Sequence, residues 1–131
     1  MKMPKFTQVS IFTVATTVAM AMGGVAVAAP TAKAQGEIDA LIAGLGTSGC
    51  QFERNGSWHD AKAARDHLQK KYTYLRKHDM ADTAELFIER GASKSSMSGK
   101  PYRVRCQGKA PETAERWFKQ RLQILRAAPT H

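Results

Sequence analysis

The stretch YRVRC at residues 102–106 alternates apolar and charged side chains, a period of two that is typical of a half-buried β-strand. A second stretch, CQFER at residues 50–54, alternates in the same way. Each stretch carries one of the two cysteines of the chain on its apolar side. A disulfide bond between Cys50 and Cys106 would hold the two strands side by side, as a short antiparallel pair.

Helical periodicity surrounds these strands. The second helical segment would begin at Trp58 with Ser57 as its N-cap, and the fourth would begin at Pro111, a residue favoured at the first helical position. A two-stranded ribbon is marginal by itself, so it must pack on the helices. We therefore expect a mostly α fold with a minor β element (α+β). The expected helices cover about 37–46, 58–77, 80–91 and 111–127.

The first thirty residues differ from the rest. Lys2 and Lys5 precede an uncharged run at residues 9–22, and AVA at residues 26–28 fits the small-x-small rule of signal peptidase. We expect export to the periplasm, with cleavage after Ala28 and no stable membrane insertion afterwards. The alternative is a retained membrane anchor, although the run is shorter than the roughly 20 apolar residues that span a bilayer. The expected division of the chain is a signal peptide at 1–28, a disordered linker at 29–36 and a single helical domain with the strand pair at 37–128.

The chain is basic, with 20 Lys and Arg against 11 Asp and Glu and a formal net charge of +9. Charge of this sign favours anionic partners, such as an envelope glycan, a carboxylate or an acidic protein. The charges are spread along the predicted helices, a distribution that also suits a solvated surface. The aromatic residues fall at core positions and are not interleaved with the basic ones, so we expect no nucleic-acid partner.

The two cysteines indicate one disulfide bond, because an even number behind an export signal is typical of an oxidising compartment. A metal pair and a catalytic thiol are the alternatives, but neither cysteine has a CxxC partner or a nearby histidine. The four histidines show no metal-binding spacing. We therefore expect neither a metal nor a cofactor.

The segment SKSSMSGKPY at residues 93–102 joins a predicted helix to a predicted strand. It could present backbone amides and serine hydroxyls to an anion, with Lys94 and Lys100 supplying charge. The alternative is a solvated connector. The segment is not a Walker loop and contains no Ser-x-x-Lys motif.

These residues also belong to a longer pattern, which includes SGC-x-F-x-RNG at 48–56, A-x-x-H-x-x-x-KY at 64–72 and ASKSSxSGKPY at 92–102. The pattern resembles the YfeK-like family of small exported proteobacterial proteins, a domain of unknown function, over most of residues 37–126. The resemblance implies a periplasmic protein of Gram-negative bacteria and supplies no catalytic residue or cofactor.

The resemblance adds weight to residues that composition alone would assign to a connector. We infer that some of them converge on one surface, since the disulfide bond would bring residues 54–56 near the 94–102 loop. The candidate ligand-binding residues are Arg54, Asn55, His67, Lys71, Ser93, Lys94, Ser95, Ser98, Gly99, Lys100 and Tyr102.

Three interpretations of function follow. The favoured one is a non-enzymatic binding or accessory module for an anionic envelope ligand or an acidic partner. The second is a small hydrolase or transferase that uses Ser95 or Ser98 as nucleophile, with His67 or a lysine as base. The third is a structural or inhibitor-like interaction module, whose interface would be an exposed apolar patch.

Overall fold

The computed structural model describes residues 2–4, 15 and 31–128. Most of the predicted signal peptide, together with its cleavage position, lies outside these residues and stays a prediction. Within the described ranges, no helix is both long and apolar enough to span a membrane.

The described domain combines α-helices with short strands, and the predicted α+β class is confirmed. A π-helical turn, Ile88–Ala92, continues the third helix. The helices are α1 (Ala32–Thr47), α2 (Ala61–Lys77), α3 (Ala84–Phe87) and α4 (Ala114–Ala127). The strands are β1 (Gln51–Arg54), β2 (Ser57–His59), β3 (Arg103–Arg105) and β4 (Glu112–Thr113).

The strands form one antiparallel sheet in the order β2-β1-β3-β4. The predicted pair is its centre, where Phe52 of β1 lies opposite Val104 of β3. Asn55 and Gly56 connect β1 to β2, and both have positive φ, 50° and 83°. Two such residues in a two-residue loop are typical of a tight hairpin turn. The sheet therefore has one more strand on each side of the predicted pair.

The predicted disulfide bond between Cys50 and Cys106 is present, with the two Cα atoms 4.3 Å apart. Cys50 precedes β1 and Cys106 follows β3, so the bond closes one end of the central strand pair.

The core lies between the inner face of the sheet and the helices. Phe52 and Val104 point into it from the two central strands, each 1% exposed. Tyr102, immediately before β3, is buried there as well. The helices and the π-helical turn supply most of the other large side chains, which include Ile38, Leu41, Leu45, Leu68, Tyr72, Phe87, Ile88 and Phe118.

Helix α1 begins earlier than predicted. The Thr31 side chain caps it by accepting a hydrogen bond from the Ala34 amide, at 3.1 Å. Ala34 is itself buried, which adds a packed turn before Ile38. Residues 32–36 are therefore helical, and the disordered linker predicted at 29–36 is wrong for these positions.

Helices α2 and α4 begin later than predicted. The Asp60 carboxylate, rather than Ser57, caps α2 by accepting from the Ala63 amide at 2.7 Å, and Trp58 lies in β2. Likewise, Thr113 caps α4, so Pro111 precedes β4 instead of opening the helix. In both places the chain makes a short strand before its helix.

The third predicted helix, at about 80–91, is shorter in its α-helical part. Thr83 caps α3 by accepting from the Leu86 amide, and the backbone turns π-helical at Ile88. Gly91 packs against α2: a Cβ atom added there would lie 3.0 Å from the Leu75 Cδ1 atom. The wide turn therefore brings its backbone close to α2.

Replacing both Cys50 and Cys106 with alanine should lower the free energy of unfolding by about 4 kcal/mol, because the bond closes a long loop in the unfolded chain. Urea unfolding of the purified oxidised protein and of the variant measures this loss. Gln107→Ser, an exposed change beside Cys106, serves as the control. A loss below about 1 kcal/mol would show that the bond contributes little to the fold.

Candidate functional site

Arg54 and His67 form the first contact of the candidate site. Arg54 ends β1 on the same face as Phe52, toward α2, because side chains alternate along a strand. Its Nη1 atom lies 2.6 Å from Nδ1 of His67. A guanidinium can only donate, so we assign Nδ1 as the acceptor and place the imidazole proton on Nε2. His67 is therefore neutral in this arrangement.

Tyr102 lies at the centre of the site. Its side chain is buried, and its hydroxyl oxygen is 3.2 Å from His67 Nε2 and 3.0 Å from Lys71 Nζ. His67 and Lys71 are four residues apart on α2 and so share one helix face. The Lys71 ammonium also donates to the Lys94 carbonyl at 3.0 Å and lies 4.8 Å from the Tyr102 ring centroid. We call Arg54, His67, Lys71 and Tyr102 the cationic cluster.

The cationic cluster has more donors than acceptors. With the proton of His67 on Nε2, the Tyr102 oxygen accepts from both His67 and Lys71. Among the contacts of the described residues, no acceptor takes the phenolic proton of Tyr102. Two of the three Lys71 N–H groups are used, and the third has no acceptor there either. The arrangement lacks an acceptor that can receive these protons.

No carboxylate of the described chain pairs with the cationic cluster. The ion pairs of the described residues lie elsewhere, at Arg65–Asp66, Lys119–Glu115 and Arg126 with Glu37 and Glu85. The charged groups that act on His67 are Arg54, Lys71, His59 and Lys70, all of them basic. The half-buried cations of the cluster therefore face one another without a counter-ion.

Burial and like charge shift the protonation of the cluster. Burial first, and then the charges of Arg54 and Lys71, lower the pKa of His67 to about 4. Burial and the Arg54 charge lower the pKa of Lys71 to about 8. Burial raises the pKa of the Tyr102 hydroxyl, and Arg54 opposes that rise. Each shift disfavours the charged form of its group.

The 93–102 segment folds as a closed hairpin. Ser95 N donates to the Lys100 carbonyl, Gly99 N to the Ser95 carbonyl and Tyr102 N to the Ser93 carbonyl, each at 2.9 Å. These amides are therefore satisfied inside the segment and are not presented to an anion. The hairpin instead places Tyr102 and the Lys94 carbonyl next to Lys71.

The hairpin contacts the β1–β2 turn, as the predicted common surface requires. The Ser98 hydroxyl donates to Asn55 Oδ1 at 2.8 Å, which ties the tip of the hairpin to the residue after Arg54. Gly99 and the side chains of Lys94 and Lys100 are exposed. No side-chain contact described for these three residues supports their predicted role in binding.

The candidate serines have structural partners. The Ser93 hydroxyl donates to the Ile88 carbonyl, and the Ser95 hydroxyl accepts from the Ser98 amide at 3.3 Å. Ser95 is 5% exposed. The described contacts give neither Ser95 nor Ser98 a histidine or lysine side chain as base.

Two other features lie outside the cationic cluster. A groove of about 560 Å³ lies at the disulfide end of β1, and its lining includes Cys106, Lys109, Trp117 and Arg121 but no cluster residue. Among the described residues, no group of three or more His, Cys, Asp or Glu side chains could hold a metal ion.

The fold and the site define a small disulfide-bonded α+β domain with a cationic cluster, unpaired with any described carboxylate, around a buried tyrosine. The chain belongs to a family of unknown function (DUF5329), which it matches over residues 32–126. It is also similar to the uncharacterized protein YfeK of Salmonella typhimurium strain LT2, with 47% identity over 51 residues. That match covers 39% of this chain and 41% of the relative. No solved structure matches the chain. The resemblance to the YfeK-like family is thereby confirmed.

Lys71→Met should raise the pKa of His67 from its value of about 4, because the variant removes one of the charges that disfavour the imidazolium. Burial, the larger cause, remains, so the pKa should stay below 6.5. An NMR titration of the His67 ring protons measures the change. Lys62→Met, which removes an exposed charge from the same helix, should leave it unaltered. A wild-type pKa near 6.5 would contradict the described environment.

Acid should destabilise the wild-type protein more than the His67→Asn variant. The pKa of His67 is about 4 when folded and 6.5 in its ordinary environment, so between these values the unfolded chain binds more protons. Stability therefore falls as the pH drops through this window. The asparagine side chain of the variant cannot titrate, while its amide oxygen can still accept from Arg54. Urea unfolding between pH 7 and 4 gives both profiles, and parallel curves would rule out a contribution from His67.

Proposed function

We propose that this domain is a non-enzymatic binding module of the periplasm that captures an anionic ligand at the cationic cluster. The observation that carries the proposal is the shortage of acceptors around Tyr102. Its oxygen already receives two donated hydrogen bonds, while its own proton and one proton of Lys71 have no acceptor among the described residues. An anionic oxygen placed beside them would accept both.

The electrostatics support the same proposal. Half-buried cations without a counter-ion carry an unfavourable repulsion, which adds to burial in lowering the pKa values of His67 and Lys71. A bound anion would offset this repulsion and form charge-assisted hydrogen bonds, which are stronger than neutral ones. The free energy lost in assembling the cluster would then be recovered when the ligand binds.

Two features support the proposed periplasmic location: the signal-peptide pattern at residues 1–28 and the disulfide bond. Disulfide bonds form and persist in oxidising compartments, of which the bacterial periplasm is one. The net charge of +9 becomes +7 once Lys2 and Lys5 leave with the signal peptide, and it still favours encounters with the anionic polymers of a cell envelope.

The contacts give less support to the other two interpretations. A serine hydrolase or transferase needs a base within hydrogen-bond reach of its nucleophile, and Ser98 instead donates to Asn55. An interaction module needs an exposed apolar patch. Ile124 and Leu125 of α4 are exposed, at 61% and 39%, but they are two neighbouring side chains on a polar helix.

Arg54→Gln and Lys71→Met should each weaken anion binding at least tenfold, because each removes a charge that no other described residue replaces. Inorganic phosphate, sulfate and citrate are the probes, titrated into the purified oxidised protein by NMR at constant ionic strength. Binding should be tighter at low salt and should raise the pKa of His67.

The matched control is Lys62→Gln, which changes the net charge by the same amount at an exposed position of α2. If this variant weakens binding as much as Lys71→Met does, the cluster is not the site and the protein attracts anions through its net charge alone. If none of the three probes perturbs the cluster in the wild type, the proposed function is wrong.

A further inference from the structure

We propose that the ligand group recognised by the cationic cluster is a carboxylate rather than a phosphate. The inference rests on the proposed function, since it names the ligand class of the same site.

The donors left available in the cluster are side-chain groups, and they are few. They comprise the Tyr102 hydroxyl proton, the third ammonium proton of Lys71 and the N–H groups of Arg54 beyond the one that contacts His67. A carboxylate has two oxygens in one plane and accepts two to four hydrogen bonds. An arginine edge with a hydroxyl and an ammonium beside it fits that demand.

A phosphate is usually held in addition by backbone amides, from a helix N-terminus or a concave loop. Such amides are occupied here. The hairpin uses Ser95 N, Gly99 N and Tyr102 N for its own closure, and the Asp60 carboxylate already caps α2. These amides therefore cannot serve the third and fourth oxygens of a phosphate at the cluster.

Tyr102 also favours a carboxylate in a second way. Its hydroxyl is fixed by His67 and Lys71, so its remaining proton has a restricted range of directions. A carboxylate meets this proton and the guanidinium edge with its two oxygens and has no others to satisfy, whereas a phosphate meets them with only two of its four. Arg54, His67 and Lys71 are only partly buried, so an end group would enter the proposed site from solvent past these three side chains.

Two sources could supply this group: the free C-terminus of a peptide and the acid group of a sugar such as a uronate. The experiment compares them by NMR titration of the full oxidised protein at pH 7 and constant ionic strength. The probes are N-acetyl-trialanine with a free C-terminus, the same peptide as its amide, glucuronate, its methyl ester, and inorganic phosphate. The amide is close to its acid in size and the ester adds one methyl group, and both remove the negative charge.

We expect at least one carboxylate probe to bind at least tenfold more tightly than phosphate, and its neutral partner to show no saturable binding. Whichever carboxylate binds more tightly identifies the source. Tyr102→Phe should weaken the carboxylate at least threefold and should weaken phosphate by a smaller factor, because the carboxylate has fewer oxygens with which to find other donors. A cooperative urea unfolding transition and the NMR spectrum of the backbone amides establish that the Tyr102→Phe variant is folded.

The outcomes separate this inference from the proposed function. Phosphate binding that equals or exceeds that of the carboxylates, and that is lost in Arg54→Gln, would overturn the carboxylate inference while the anion site stands. Equal binding of the acid and its amide would also overturn it, since the charge would then be irrelevant. Absence of binding by every anion would overturn both.

Discussion

The antiparallel pairing of β1 with β3 is the constraint on which the rest of the structure depends. It joins two segments that are about fifty residues apart, with the disulfide bond at one end and the cationic cluster at the other. Phe52 lies 4.9 Å from the Tyr102 ring, centroid to centroid, so the same register that fills the core also places the phenol beside α2. A slip of one residue would turn Tyr102 toward solvent and separate it from His67 and Lys71.

The sequence predicted those parts of the fold that carry a periodic signal, namely the two central strands and the apolar faces of the helices. It did not predict β2 and β4, because strands of three and two residues are too short for any period. Trp58 fits the apolar face of the following helix as well as it fits a strand. Trp58 lies in a strand because it pairs with Glu53 across the Asn55-Gly56 turn, and this pairing requires β1 to be formed. The helix starts were misplaced because several residues near each start could cap the helix, and tertiary packing selects among them.

The eleven candidate residues include all four residues of the cationic cluster, but the sequence did not distinguish these four from the other seven. The proximity of the β1–β2 turn to the hairpin followed from the proposed disulfide, and the Ser98–Asn55 hydrogen bond matches it. The sequence did not predict the direction of the hairpin amides, because that direction depends on which carbonyls of the same hairpin they bond to. The central position of Tyr102 could not be derived either, since it requires the distance between α2 and β3. Only the shared helix face of His67 and Lys71 could be read from spacing.

The cluster has no counter-ion within the part of the chain that the structure describes, and it persists because one of its members changes its protonation instead of its position. A charged imidazole would place a third cation beside Arg54 and Lys71, whereas neutral His67 offers Nδ1 as an acceptor to the guanidinium. In the free protein, a hydrogen bond from Arg54 to neutral His67 thus replaces the repulsion between two cations. As a consequence, the imidazole of His67 binds a proton only weakly. An anion entering the site would reverse this balance, because it would favour the protonated forms of both His67 and Lys71. Binding of the proposed ligand would therefore be coupled to proton uptake through the same two side chains, and the affinity of the proposed site for anions should rise as the pH falls toward the pKa of His67.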